Sequence, residues 1–167
     1  LSVDSGKFTL DLNGKTLSGN AYRQLIAVSG TADITIQNGK LVNTFSKDQS
    51  DINLGNANAV NIAGGKVVLE NVEVTSGRGK DGAQTGAVYV YDGSLTVTSG
   101  TFTGAIGVVT QSPDAHPALK ITSATLHNGI GYLALGSSVF DYDGVRALFA
   151  SGSMLFDKDK KYIDITK

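Results

Sequence analysis

The chain has 167 residues and a net charge of −1, with 41% hydrophobic but only 17% charged residues. No basic run marks a nucleic-acid partner and no acidic tail marks a disordered activator. The absence of cysteine removes both a disulfide framework and a thiolate metal site.

The 21 glycines against two prolines describe a turn-rich chain without the composition of a disordered linker. No window carries a convincing helical period. Threonine, valine and isoleucine in alternation point to strands throughout. The chain begins at Leu1 with no signal peptide or transmembrane run, which reads as a domain excised from a larger protein.

In chain order, the first apolar set is Leu10, Leu12 and, five positions on, Leu17. The stretch "ADITIQNGKLVNTFS" (32–46) repeats it with Ile34, Ile36 and Leu41. Alone, its Asn38-Gly39 would be a hairpin turn. Yet Val67/Leu69/Val74, Leu95/Val97/Phe102 and Leu119/Ile121/Leu126 follow the same template. A third piece lies upstream of all but the first: Ile26/Val28, Val60/Ile62, Val88/Val90 and Ile106/Val108. Taking Leu12, Ile36, Leu69, Val97 and Ile121 as anchors, the steps are 24, 33, 28 and 24 residues. The longer steps hold insertions at 46–57 and 77–86, and a further loop occupies 110–118.

Three short strands in a period of about 22–24 residues predict an all-β fold, a single right-handed parallel β-helix (β-solenoid) of about five to six coils. Neighbouring coils would stack at about 4.8 Å. On this reading Asn38-Gly39 turns a corner, and Ile36 pairs with Leu12 and Leu69. Asn13-Gly14, Gly64-Gly65, Asp92-Gly93 and Ser99-Gly100 mark the other bends. Residues 1–167 form one domain. A new coil starts at Ile130, and 130–167 make an irregular terminal coil or cap. There Ala147/Phe149 and Met154/Phe156 keep the seven-residue spacing of the earlier coils.

The phrases "LDLNGKTLSG" (10–19), "ITIQNGKLVN" (34–43) and "GAVYVYDGSLTVTSGTFTG" (86–104) resemble the pectin-lyase-like right-handed β-helix superfamily, in particular the β-helical regions of large bacterial surface proteins. The resemblance covers residues 6–130. It implies an extracellular or cell-surface location and neighbouring domains in a larger chain. The matching residues are those that pack and turn, so the resemblance speaks for the fold and does not choose among lyases, glycosidases, adhesins and passive stalks.

Enzymatic chemistry has thin support. Arg78, Lys80, Asp81 and Asp92 form the best lyase-like constellation, and its bland reading is a solvated loop. Glu70 and Asp11 sit at matching outward positions two coils apart, with nothing to mark them as a glycosidase pair. His116 and His127 read as surface residues. "DKDKKYID" (157–164) lacks the glycine and closing glutamate of a calcium loop. No catalytic residue, cofactor or metal is assigned. A Thr-x-Thr ice-binding array is interrupted by charges.

A binding face is better supported. With Val88 and Val90 inward, Tyr89 and Tyr91 face outward, flanked by small residues: Asn61 and Ala63 on one side, Gly107 and Val109 on the other. The two insertions would wall a groove over them, and Arg78, Lys80 and Asp81 would add polar contacts. Tyrosine offers a flat apolar face with a hydroxyl, suited to stacking on a sugar ring. The ligand-binding residues expected are therefore Tyr89, Tyr91, Asn61, Arg78, Lys80 and Asp81. The functional expectation is a non-catalytic surface module for adhesion or binding of a host or plant glycan, with neither nucleic acid nor membrane insertion. The alternatives are a part of a polysaccharide lyase or glycosidase, or a passive spacer.

Overall fold

The computed structural model describes residues 1–48, 55–110, 117–128, 130–134, 155–156 and 162–163. Among them the chain is almost wholly β. The strands are β1 (Ser2–Val3), β2 (Lys7–Asp11), β3 (Thr16–Gly19), β4 (Gln24–Asn43), β5 (Asn58–Thr75), β6 (Gly86–Thr103), β7 (Ala105–Thr110), β8 (Ala118–Ile121), β9 (Thr125–Leu126), β10 (Ile130–Ala134), β11 (Leu155–Phe156) and β12 (Tyr162–Ile163). A single 3-10 turn, Lys80–Gly82, interrupts them.

All twelve strands share one sheet, and the sheet is not closed. The strands β1, β2 and β3 pair with successive stretches of β4. The long strands β4, β5 and β6 then pair along nearly their whole length. On the far side of β6 lie β7, β8 and β9 in turn. β10 continues from β7, and β11 from β9. Each of these pairings is parallel; β11 and β12 alone are antiparallel.

The long strands are bent. Positive φ occurs at Gly30 and Asn38 in β4, at Gly64, Gly65 and Asn71 in β5, and at Gly93 in β6. These bends stack on one another. A Cβ on Gly65 would lie 2.4 Å from the Ala32 carbonyl, and one on Gly93 would lie 2.4 Å from the Gly65 carbonyl. Both positions therefore need glycine twice over, for conformation and for space. Asn38 settles the hairpin question. Its φ is 57°, yet Ile36 before it pairs with Leu69 and Leu41 after it pairs with Val74. The chain turns a corner there and keeps the same neighbouring strand.

The apolar residues line up across strands as the spacing predicts. Ile26, Val60, Val88 and Ile106 form one row, and Ile36, Leu69, Val97 and Ile121 another. Leu41, Val74, Phe102 and Leu126 form a third. Nearly every member is fully buried, and each such side chain contributes roughly 1.5–3 kcal/mol.

Two register expectations need correction. Ile36 pairs with Leu10, not Leu12, and Phe8 pairs with Ile34. Leu17 nonetheless meets Leu41 as expected. The first tier spends two more residues on its bend, where Asn13 and Gly14 both take positive φ. Leu12 therefore sits at the corner itself, its N–H bonded to the Gln37 carbonyl. Secondly, Ala63 pairs with Asp92 rather than lying beside Tyr91, because the ladder slips by one residue after Ile62. Phe156, for which the spacing set no register, stands opposite Thr125. Ile130 does open a new strand, opposite Ile106. Ala147, Phe149, Met154 and His116 lie outside the described residues.

Candidate functional site

The outward row beside the core valines is Ala27, Asn61, Tyr89 and Gly107. Val88 and Val90 are fully buried, which by strand alternation turns Tyr89 and Tyr91 to the opposite face. Tyr89 is half-buried and Tyr91 is 36% exposed. Its cross-strand neighbours are small, a short amide at 61 and glycine at 107. Burial pushes the Tyr89 phenol above its ordinary value, and the neighbouring Tyr91 adds to the shift.

Asn61 also lines a cleft of about 350 Å³ with Tyr22, Arg23, Gln24, Gly55 and Asn56. Tyr22 is exposed and packs edge-on against Phe45, ring centroids 5.5 Å apart. Among the described residues no carboxylate pairs with Arg23; the ion pairs there are Lys7–Asp33 and Lys40–Glu73. Sequence reasoning missed Tyr22 and Arg23. They precede β4 outside the apolar period, so no spacing signal marks them.

A buried polar chain fixes this cleft. Asn43 Oδ1 accepts from the N–H groups of Ala21 and Phe45, both at 3.1 Å. Its Nδ2 donates to the carbonyls of Ala21 (2.8 Å) and Asn58 (3.0 Å). Asn58 Nδ2 in turn donates to the Gly86 carbonyl at 2.8 Å. Two asparagines thus tie the segment before β4 to the starts of β5 and β6. Backbone bonds from Ala57 to Tyr22 and from Asn58 to Arg23 complete the join.

The described parts of the two insertions meet each other. Arg78 bridges to Ser46 on one side and to Gln84 on the other. Its Nη1 donates to the Gly82 carbonyl at 2.9 Å. The Asp81 N–H donates to Asp48 Oδ1 at 3.0 Å. The Gln84 amide, its nitrogen turned toward Ser76, donates to Ser76 Oγ at 2.9 Å and accepts from Arg78 Nη2 at 3.3 Å. Lys80 is exposed on the 3-10 turn.

The structure therefore sets Asn61 beside Tyr89 directly. Arg78 and Asp81 spend their hydrogen bonds inside the loop pair. Among the described residues no hydrogen bond or ion pair joins Arg78, Lys80 or Asp81 to Asn61, Tyr89 or Tyr91. Asp11 and Glu70, weighed above as a carboxylate pair, are separated by Gln37 in the same outward row. Among the described residues no group of three or more His, Cys, Asp and Glu is placed to hold a metal ion, and no helix is long and apolar enough to cross a membrane. His127 is exposed.

Compared with family models, with curated proteins and with solved structures, the chain matches none.

Proposed function

We infer that this chain is a right-handed parallel β-helix acting as a carbohydrate-binding or adhesive module of an extracellular bacterial surface protein. The helical reading is supported by bends that recur at the same level of each long strand and by parallel pairing of each level with the next. A sheet whose successive strands are joined by the rest of a coil needs no helical crossover.

The observation that carries the binding reading is the outward row in which Tyr89 lies between Asn61 and Gly107. A half-buried aromatic with low neighbours is a rigid platform for the apolar face of a sugar ring. The cleft containing Arg23, Gln24 and Asn61 begins one strand away and supplies amide and guanidinium donors. Rigid aromatic and amide groups lose little conformational freedom on binding.

A glycan array tests this reading. The chain is expected to bind at least one host or plant glycan, and the Tyr89→Ala/Tyr91→Ala variant to lose that signal while its circular dichroism is unchanged. An undiminished signal in the folded variant would remove this face as the site.

A further inference from the structure

A second concave surface lies on a different part of the molecule, where β4 and β5 turn corners at Asn38 and Asn71 and β6 passes beside them at Gly100. It is a trough of about 550 Å³. Its floor is the row Gly39, Val72 and Gly100, paired across three strands. The floor stays low because of packing within the protein. A Cβ on Gly39 would come 2.5 Å from Leu12 Cβ, and one on Gly100 would come 2.9 Å from the Val72 carbonyl.

One wall is a ladder of amides. Asn38 and Asn71 both take positive φ, 57° and 51°. Asn71 Nδ2 donates to Asn38 Oδ1 at 3.2 Å, and Asn38 Nδ2 donates to Asp11 Oδ2 at 3.1 Å. The other wall is the row Lys40, Glu73 and Thr101. Lys40 Nζ and Glu73 Oε2 are 2.6 Å apart, and both side chains remain about half exposed, at 50% and 47%. An ammonium has three donor positions and a carboxylate about four acceptor positions, so one mutual contact leaves most of them open.

This wall therefore presents donor, acceptor and hydroxyl at successive strand levels, with no net charge. An adjacent pair of sugar hydroxyls, each of which donates and accepts, matches that pattern. The bare backbone along Gly39, Val72 and Gly100, with the Val72 side chain turned into the core, leaves a flat floor for a ring face. An anionic sugar is disfavoured, since the one cation lining the trough, Lys40, is already paired with Glu73, and Asp11 lies behind Asn38.

We propose that this trough is a second ligand site, independent of the tyrosine face, and that it takes a neutral oligosaccharide lying across β4, β5 and β6. The test is a titration of the ¹⁵N-labelled chain with neutral hexasaccharides of glucose, mannose and N-acetylglucosamine, and with a galacturonate oligomer. At least one neutral probe should shift the amides of Gly39, Val72 and Gly100, and the acidic probe should not. The Asn71→Gly/Glu73→Ala variant keeps the positive-φ corner and should weaken that binding about tenfold or more. Tyr89→Ala should leave it unchanged.

Three results would each overturn the proposal. They are no shift at these amides with any neutral probe at about 10 mM, a preference for the acidic probe, or loss of the shifts in Tyr89→Ala. A trough that fails alone leaves the tyrosine face standing, and a tyrosine face that fails alone leaves the trough.

Discussion

Two neighbouring rows of the sheet obey different rules. Val60, Val88 and Ile106 are fully buried and chemically interchangeable. One residue further along each strand, Asn61, Tyr89 and Gly107 have nothing in common. Inside, each position must fill the space left by the level before it, and only branched aliphatics and an occasional phenylalanine do so. Outside, the same backbone leaves the side chain unconstrained. The inner rows therefore hold the molecule together, and individuality is confined to the outer rows and the corners.

The largest break in this contrast comes from the inner rows. Among the described residues Phe102 is the largest fully buried side chain, stacked between Val74 and Leu126. Phe102→Ala should destabilise the chain by about 3–5 kcal/mol, read as a lowered urea midpoint at unchanged slope. An outward truncation such as Thr96→Ala should stay within about 0.5 kcal/mol.

A smaller but sharper effect belongs to Asn43, a buried polar residue only 2% exposed. Asn43→Ala strands the N–H groups of Ala21 and Phe45. The expected loss is about 1–3 kcal/mol. Amide exchange should rise first around 21–23, because that segment loses its tie to β5. Uniform weakening across the sheet would contradict this local role.

The smallest effect is electrostatic and lies at a corner. Asp11 is fully exposed, yet its carboxyl is held below the ordinary value by the Gln37 amide, then by the Asn13 N–H and the Asn38 amide. A carboxyl whose folded pKa is lowered adds stability that is present above its unfolded pKa. That stability is lost as pH falls through the folded value. The acid limb of a stability–pH profile should therefore be shallower in Asp11→Asn than in the parent, with the difference confined to pH below about 4. Identical acid limbs would show that the corner amides do not select the ionised carboxylate.

The inner rows were legible in the sequence because burial at matching positions of each paired strand forces the same residue types at the same spacing. Ile34, Ile36 and Leu41 predict Val67, Leu69 and Val74 without any structure. The first tier misled because Leu12 is as apolar as Leu10, and spacing alone does not reveal that Asn13 and Gly14 lengthen the bend. The corner at Asn71 was invisible for the opposite reason. It lacks a following glycine, and its positive φ is supported instead by the Asn38 amide and by Ser99 Oγ, which accepts its N–H at 2.9 Å.

The outward tyrosines followed from simple alternation with Val88 and Val90. Their neighbours across strands needed the register, and the one-residue slip after Ile62 that separates Tyr91 from Ala63 leaves no mark in composition. The pairing of the two insertions through Arg78 depends on hydrogen bonds that no periodic pattern encodes.

The whole account rests on the parallel register that sets Asn61 next to Tyr89, and the cysteine-free chain allows a direct test of it. Val68 and Thr96 face outward and are paired in that same ladder. Their separation, about 4.8 Å between parallel strands, suits a disulfide. Under mild oxidation the Val68→Cys/Thr96→Cys variant should crosslink within the folded monomer, and Val68→Cys/Thr98→Cys, two residues out of register, should not. Crosslinking of the second pair in preference to the first would contradict the parallel pairing of β5 with β6 on which the account rests.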